Sequence, residues 1–298
     1  MNAPAASLNR ETVTAQGTAR RTVAVALLGA LLLFAYRATL HWLTQRYSAP
    51  DSYYGHGPLI PLIGGYLVLR HRHRLAERVG SGSWWGLLIV LPSAFLHFVG
   101  LLLRIDFLSG LSLWTMLAGL VVLLGGSGLF KRIWFAWLFL GFALPLPLFA
   151  VSNLVLVLKQ WVLRATALLL STVGVDVKTE GSFLVLPDGN RLLIEEECCG
   201  LRSLIALIAL GVLIAGTSRR LSTMRRWCLV ALAPLLAVLA NLLRVLALGL
   251  VAVWFGAGAA HRIHDPSTYL VYAVAIGFYV TLERILETRG VPLAEAPP

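Results

Sequence analysis

The residues best suited to chemistry gather at 195–204, Glu-Glu-Glu-Cys-Cys-Gly-Leu-Arg-Ser-Leu, where an acidic, thiol-bearing segment meets an apolar run that lasts to Gly216. That junction puts Cys198 at the mouth of a membrane helix. Helix N-termini carry partial positive charge and free N–H groups, which favour a thiolate over a thiol. Arg202 follows four residues later, on the same helical face, and acts in the same direction. Glu195, Glu196 and Glu197 act against it, because nearby carboxylates disfavour a further negative charge. Two readings stay open for them: a solvated loop end, or a group that orients a histidine or repels anionic ligands. The stretch reads as a membrane-embedded nucleophile site.

The elements that must position it are membrane helices. Of 298 residues, 58% are hydrophobic and only 13% charged, and the mean hydropathy is +0.79. Soluble domains carry roughly 25% charged residues, so composition alone makes this an integral membrane protein. The net charge of +11 does not point to nucleic acid. Its arginines sit in short clusters between apolar runs, where cytoplasmic loops place them. Three cysteines, two of them adjacent, make no disulfide framework. Neither a CxxC nor an HExxH motif is present, so nothing supports a metal, and the chemistry below calls for no cofactor.

Residues 1–21 are small, polar and basic, and read as a disordered cytoplasmic tail. A single domain is expected over 22–287, with a cytoplasmic tail at 288–298. Its first span covers 22–43, long enough to cross and lacking a cleavage site. A Gly- and Pro-flanked His56 precedes a short apolar run ending at Leu69, and Arg70, Arg72, Arg74 and Arg78 then mark the cytoplasm. His56 serves either as an interfacial anchor or as part of a site. Spans follow at 85–103 and 107–130, Lys131 and Arg132 then mark the cytoplasm, and another span runs to about Ala150 with Pro145 and Pro147 near its end. Residues 154–173 are apolar enough to cross but hold Lys159 and Arg164 near the middle, each costing a few kcal/mol at the bilayer centre. Crossing there would also send Arg219, Arg220, Arg225 and Arg226 outside. An outer interfacial or re-entrant helix over 151–175 avoids both problems. Residues 182–194 read as a small extracytoplasmic β-hairpin about Pro187-Asp188-Gly189-Asn190. Spans at 199–216, 227–254 and 268–286 complete the chain. The expectation is an all-α polytopic membrane protein of about eight helices, both termini cytoplasmic.

This topology gathers Cys198, His261 and His264 on one outer face. Arg244 lies inside the seventh span, about ten residues from its outer end, and an arginine there needs a polar cavity. Asn241 is one turn earlier and suited to orient it. Thiol, imidazole and guanidinium together suit nucleophilic attack, proton transfer and oxyanion binding.

Three blocks resemble the exosortase/archaeosortase family: Cys198-Cys199-Gly200-Leu201-Arg202-Ser203-Leu204, Ala240-Asn241-Leu242-Leu243-Arg244, and His264 before the last span. His56-Gly57-Pro58-Leu59-Ile60-Pro61 is similar to that family's early His-Gly-Pro block, and the likeness covers nearly the whole chain. The resemblance implies a polytopic cysteine protease or transpeptidase of the bacterial inner membrane, with its active site facing the periplasm. Catalysis would fall to Cys198, Arg244 and His264, with Arg202, Ser203, Asn241, Cys199 and His56 supporting or lining the site. The implied partners are secreted proteins of the PEP-CTERM type, carrying a short motif, a transmembrane helix and a basic end. Where the family has a small polar residue, this chain has Cys199, which leaves Cys198 as the aligned nucleophile. Water and an acceptor nucleophile both remain open as the second substrate. A transporter or assembly subunit for envelope polysaccharide is the alternative, and an essential Cys198 thiol separates the two.

Overall fold

The computed structural model describes residues 23–49, 52–72, 75, 80–193, 201–218 and 221–288. The first span is two helices, α1 (Val23–Ala35) and α2 (Arg37–Ser48), bent by 64° at Tyr36. Polar pairing explains the bend. Ser112 donates to Tyr36 Oη at 3.0 Å, and Thr39 Oγ1 lies 2.5 Å from Ser109 Oγ. These bonds anchor α2, while Leu27, Leu31 and Phe34 on α1 stay exposed. The single straight helix expected at 22–43 is therefore a bent pair.

Next come α3 (Leu59–Arg70), α4 (Leu87–Leu103) and α5 (Asp106–Leu140). α5 is two helices that double back on each other at Gly126, whose φ of 82° and ψ of 168° suit only glycine. The stacked Trp114 and Trp137 prove the reversal. Their rings are 4.2 Å apart and each indole N–H donates to the other's carbonyl at 2.8 Å. In a straight helix those residues would be about 34 Å apart. Two antiparallel legs thus occupy the region read as one span at 107–130 and another running to about Ala150. The turn falls at Gly126 rather than at Lys131 and Arg132, which lie exposed on the second leg.

After Pro145 and Pro147 the chain enters α6 (Leu148–Thr172). Strands β1 (Lys178–Glu180), β2 (Phe183–Val185) and β3 (Arg191–Leu193) follow, antiparallel in the order β1-β2-β3. The expected hairpin is β2–β3, with Val185 opposite Arg191, and β1 adds an unforeseen third strand. Three long helices close the fold: α7 (Leu201–Thr217), α8 (Thr223–Phe255) and α9 (Ala257–Thr288). Residues 255–267, expected as a loop, are instead the end of α8 and the first turns of α9. The apolar Ala257-Gly258-Ala259-Ala260 run supplies that start.

Among the described residues, five helices are long and apolar enough to cross a membrane, or six if the bent α1–α2 pair is one span. The expected eight is not confirmed, because α3 and α7 have only 12 and 17 residues and the doubled α5 counts once. Helix association in lipid relies on close contact between small residues. Ala215, Ala233, Ala237 and Ala275 are buried together with Leu207, Leu229 and Tyr279, and pack α7, α8 and α9 into one bundle. A second core joins α6 and the sheet to α8 through Leu170, Leu184 and Val245.

Candidate active site

α8 and α9 fold back on each other at Gly256 (φ 85°). Arg244 lies twelve residues before that glycine and Ser267 eleven after it, so reversal brings them level. Arg244 is 8% exposed. Its Nε donates to Ser267 Oγ at 2.9 Å, and Nη2 donates to the His264 carbonyl oxygen at 3.0 Å. Nη2 also lies 3.3 Å from His264 Nε2. The Ser267 hydroxyl donates to the same carbonyl at 2.6 Å. A buried guanidinium is tolerable only with such partners. Because guanidinium has donors and no acceptor, a hydrogen bond at this contact requires His264 Nε2 to accept, which is the tautomer with its proton on Nδ1.

Asn241 is 2% exposed and sits one turn before Arg244 on the same helical face. The orienting bonds to the guanidinium come from Ser267 and His264, so its holder is across the helix hairpin. Of the two candidate histidines, His264 reaches Arg244, whereas His261 is exposed. Arg202 and Arg244 are both close enough for their charges to act on the Tyr272 phenol. Arg202 Nε is buried, and so is Ser203 beside it.

His56 occupies the turn before α3. The loop is pinned by Tyr54, whose hydroxyl oxygen accepts from the Leu146 N–H at 2.9 Å, and by Tyr47, whose hydroxyl donates to the Ala143 carbonyl at 2.7 Å. A Cβ on Gly57 would overlap the Tyr47 ring, which explains glycine in the His-Gly-Pro block. Tyr53 packs with Val151, Val155 and Leu201, so this loop lies beside the entry to α7. His56 Nε2 is buried without a hydrogen bond, and burial lowers the ring's pKa below its usual value.

The structure thus gathers Arg202, Ser203, Asn241, Arg244 and His264 at one end of the α7–α9 bundle, with His56 in the adjoining loop. Cys198, Cys199 and Glu195–Glu197 lie outside the described residues. Ser267 and Tyr272 were missed in the sequence. A serine after Pro266 reads as turn chemistry, and a tyrosine in an apolar run reads as core. The register about Gly256 is the signal that finds Ser267. Among the described residues no three His, Cys, Asp or Glu side chains cluster as a metal site requires.

Residues 42–281 match the transmembrane exosortase family (Exosortase_EpsH), most of the chain and every block above. The chain belongs to the transmembrane exosortase family. Comparison with curated proteins and with solved structures gives no match. Membership implies a membrane protein of the sorting-protease or transpeptidase kind, acting on proteins that carry sorting signals.

Proposed function

We propose that this exosortase cleaves the C-terminal sorting signals of secreted proteins through a thioester on Cys198, at the periplasmic face of the inner membrane. The observation that carries the reading is the Arg244–His264–Ser267 cluster at the end of the bundle where α7 begins. The three-residue chain from Leu201 back to Cys198 spans at most about 11 Å, a short tether that supports the reading of Cys198 as the nucleophile.

His264 Nε2 takes the Cys198 thiol proton, the thiolate attacks the scissile carbonyl, and the carbonyl pair moves onto oxygen. Arg244 holds that oxyanion, aided by Arg202. As the intermediate collapses, the C–N bond breaks and the leaving amine takes a proton from His264. An acceptor nucleophile or water then gives its proton to His264 and attacks the thioester, and the C–S bond breaks to restore the thiolate. Proton uptake at His264 Nε2 removes the acceptor that Arg244 Nη2 now uses, so the same step frees an N–H for the oxyanion. Cys199 lines the site without forming the thioester.

The test is an acyl-enzyme trap. The protein is co-expressed with secreted proteins bearing a C-terminal helix and basic tail, and hydroxylamine-sensitive adducts are sought. The adduct is expected in wild type and in Cys199→Ala, and lost in Cys198→Ala. Full cellular function in a well-expressed Cys198→Ser variant would sink the enzyme reading and favour the transporter.

A further inference from the structure

The end of the bundle remote from Arg244 holds a cavity that this chemistry does not use. It encloses about 320 Å³ where α3, the second leg of α5, the end of α7 and the start of α8 meet. Arg70, His71, Arg132 and Arg226 reach its wall beside Thr217 and Ser218, and no carboxylate lines it among the described residues. Arginines converging on one small space repel one another unless an anion lies between them. The cavity therefore favours an anion, and three guanidinium groups favour the oxygens of a phosphate.

The cavity is not closed on its membrane side. Val68, Ile133 and Ala136 line both it and an apolar groove of about 440 Å³ between α3 and α5. Pro61, Leu117 and Leu140 continue that groove into a third, apolar space of about 250 Å³ that reaches Tyr47. From Arg132 to Ala143 the second leg and the 3-10 turn that follows it rise about 18 Å, close to the roughly 15 Å of hydrocarbon in one leaflet. A basic pocket leading into an apolar trough of that length has the shape and polarity of a single amphiphile. A sorting helix with a basic tail fits poorly, since the arginines would repel its charged end.

We propose that this exosortase binds one acidic phospholipid here, with the phosphate among Arg70, Arg132 and Arg226 and an acyl chain along the α3–α5 groove. The site is distinct from the catalytic end and independent of the reaction proposed there.

The experiment is a native mass spectrometry titration of the full chain in detergent. The probes are phosphatidylglycerol and phosphatidylcholine of identical acyl chains, with inorganic phosphate as competitor. Phosphatidylglycerol is expected to be retained about tenfold more tightly, and phosphate is expected not to displace it. The paired substitution Arg70→Gln and Arg132→Gln should weaken phosphatidylglycerol roughly 25-fold, about fivefold per arginine. Arg164→Gln, an exposed arginine on α6, should change nothing. Gly65→Leu is a second probe, because Gly65 lines the groove and faces open space. It should weaken phosphatidylglycerol without harming the helix. Equal retention of the two lipids, or a preference that survives the arginine substitutions, would overturn the proposal. Displacement by phosphate with no effect of Gly65→Leu would make the cavity a free-phosphate site and refute the lipid. Should the double variant fail to fold, Gly65→Leu and the phosphate competition decide on their own.

Discussion

Arg244 shows what a single buried charge demands of its neighbours. Its fork is divided between Ser267 on one nitrogen and the two acceptors of His264 on another. Lysine cannot reproduce that planar division, so Arg244→Lys should lower single-turnover acylation by about 10²-fold or more in protein that still folds. Ser267→Ala removes one charge-assisted bond, worth roughly 1.5–3 kcal/mol. It should slow acylation about tenfold or more, and Ser267→Thr should restore most of the rate. Equal thermal stability alongside a slowed rate would mark Ser267 as positioning the guanidinium; an unchanged rate would remove it from the site. His56 gives a pH prediction. Burial holds its folded pKa below the unfolded value of about 6.5. The folded state therefore binds fewer protons than the unfolded one, and stability present above pH 6.5 declines as pH falls toward the folded pKa. His56→Gln removes this titration, so its melting temperature should fall less than wild type's between pH 7 and pH 5. Parallel declines in the two proteins would contradict the assignment.

At the scale of elements, the sequence revealed charge and apolar length well and chain reversal poorly. Spans read at 85–103, 227–254 and 268–286 correspond to α4, α8 and the apolar part of α9, because long uncharged runs leave few alternatives. The turn inside α5 was placed at Lys131 and Arg132 on charge alone. Charge marks where a chain meets the interface, whereas reversal needs a residue that accepts positive φ, and Gly126 supplies it. The His-containing start of α9 was hidden for a related reason: Gly256 and Pro266 suggest a loop, yet Gly256 only turns the chain and the helix resumes at Ala257. Arg244 and His264 were legible from their types and positions, but Ser267 depended on a register that no single residue announces. The Gly126 reversal is testable. Gly126→Ala should destabilise the protein by about 1–3 kcal/mol, seen as a lower melting temperature in detergent and altered Trp114–Trp137 fluorescence. Gly128→Ala, two residues away in open space without positive φ, should be near neutral. Equal effects from the two would show that ordinary helix propensity, not the reversal, governs the site.

For the whole molecule, the decisive question is whether α6 crosses the membrane, because its path fixes which face the catalytic end occupies. Its length and apolarity qualify it as a span, and Lys159 is buried rather than exposed to lipid. Packing points elsewhere. The first turns of α6, Val151 and Val155, cluster with Leu201 at the start of α7. Near its other end, Leu170 and Thr166 meet Gly249 late in α8. Gly211 of α7 faces Ala233 of α8, so in antiparallel helices Leu201 stands level with Leu243. From that level to Gly249 is about 9 Å along α8, while Val155 to Leu170 covers about 22 Å of α6. The helix therefore slants across one end of the α7–α9 bundle and never reaches the arginine-rich end, as an interfacial or re-entrant helix would. Such a path also leaves Arg226 on one face with Arg70 and Arg132, as the positive-inside pattern expects of basic loops. Single cysteines at Leu146 and Asp176, in a background freed of Cys198, Cys199 and Cys228, should react with an impermeant maleimide from the same side of sealed membranes, the periplasmic one. Labelling from opposite sides would make α6 a crossing helix. Arg70 and Arg132, which precede α6, could then not share a membrane face with Arg226, which follows it, and the cavity that the three line together speaks against that outcome.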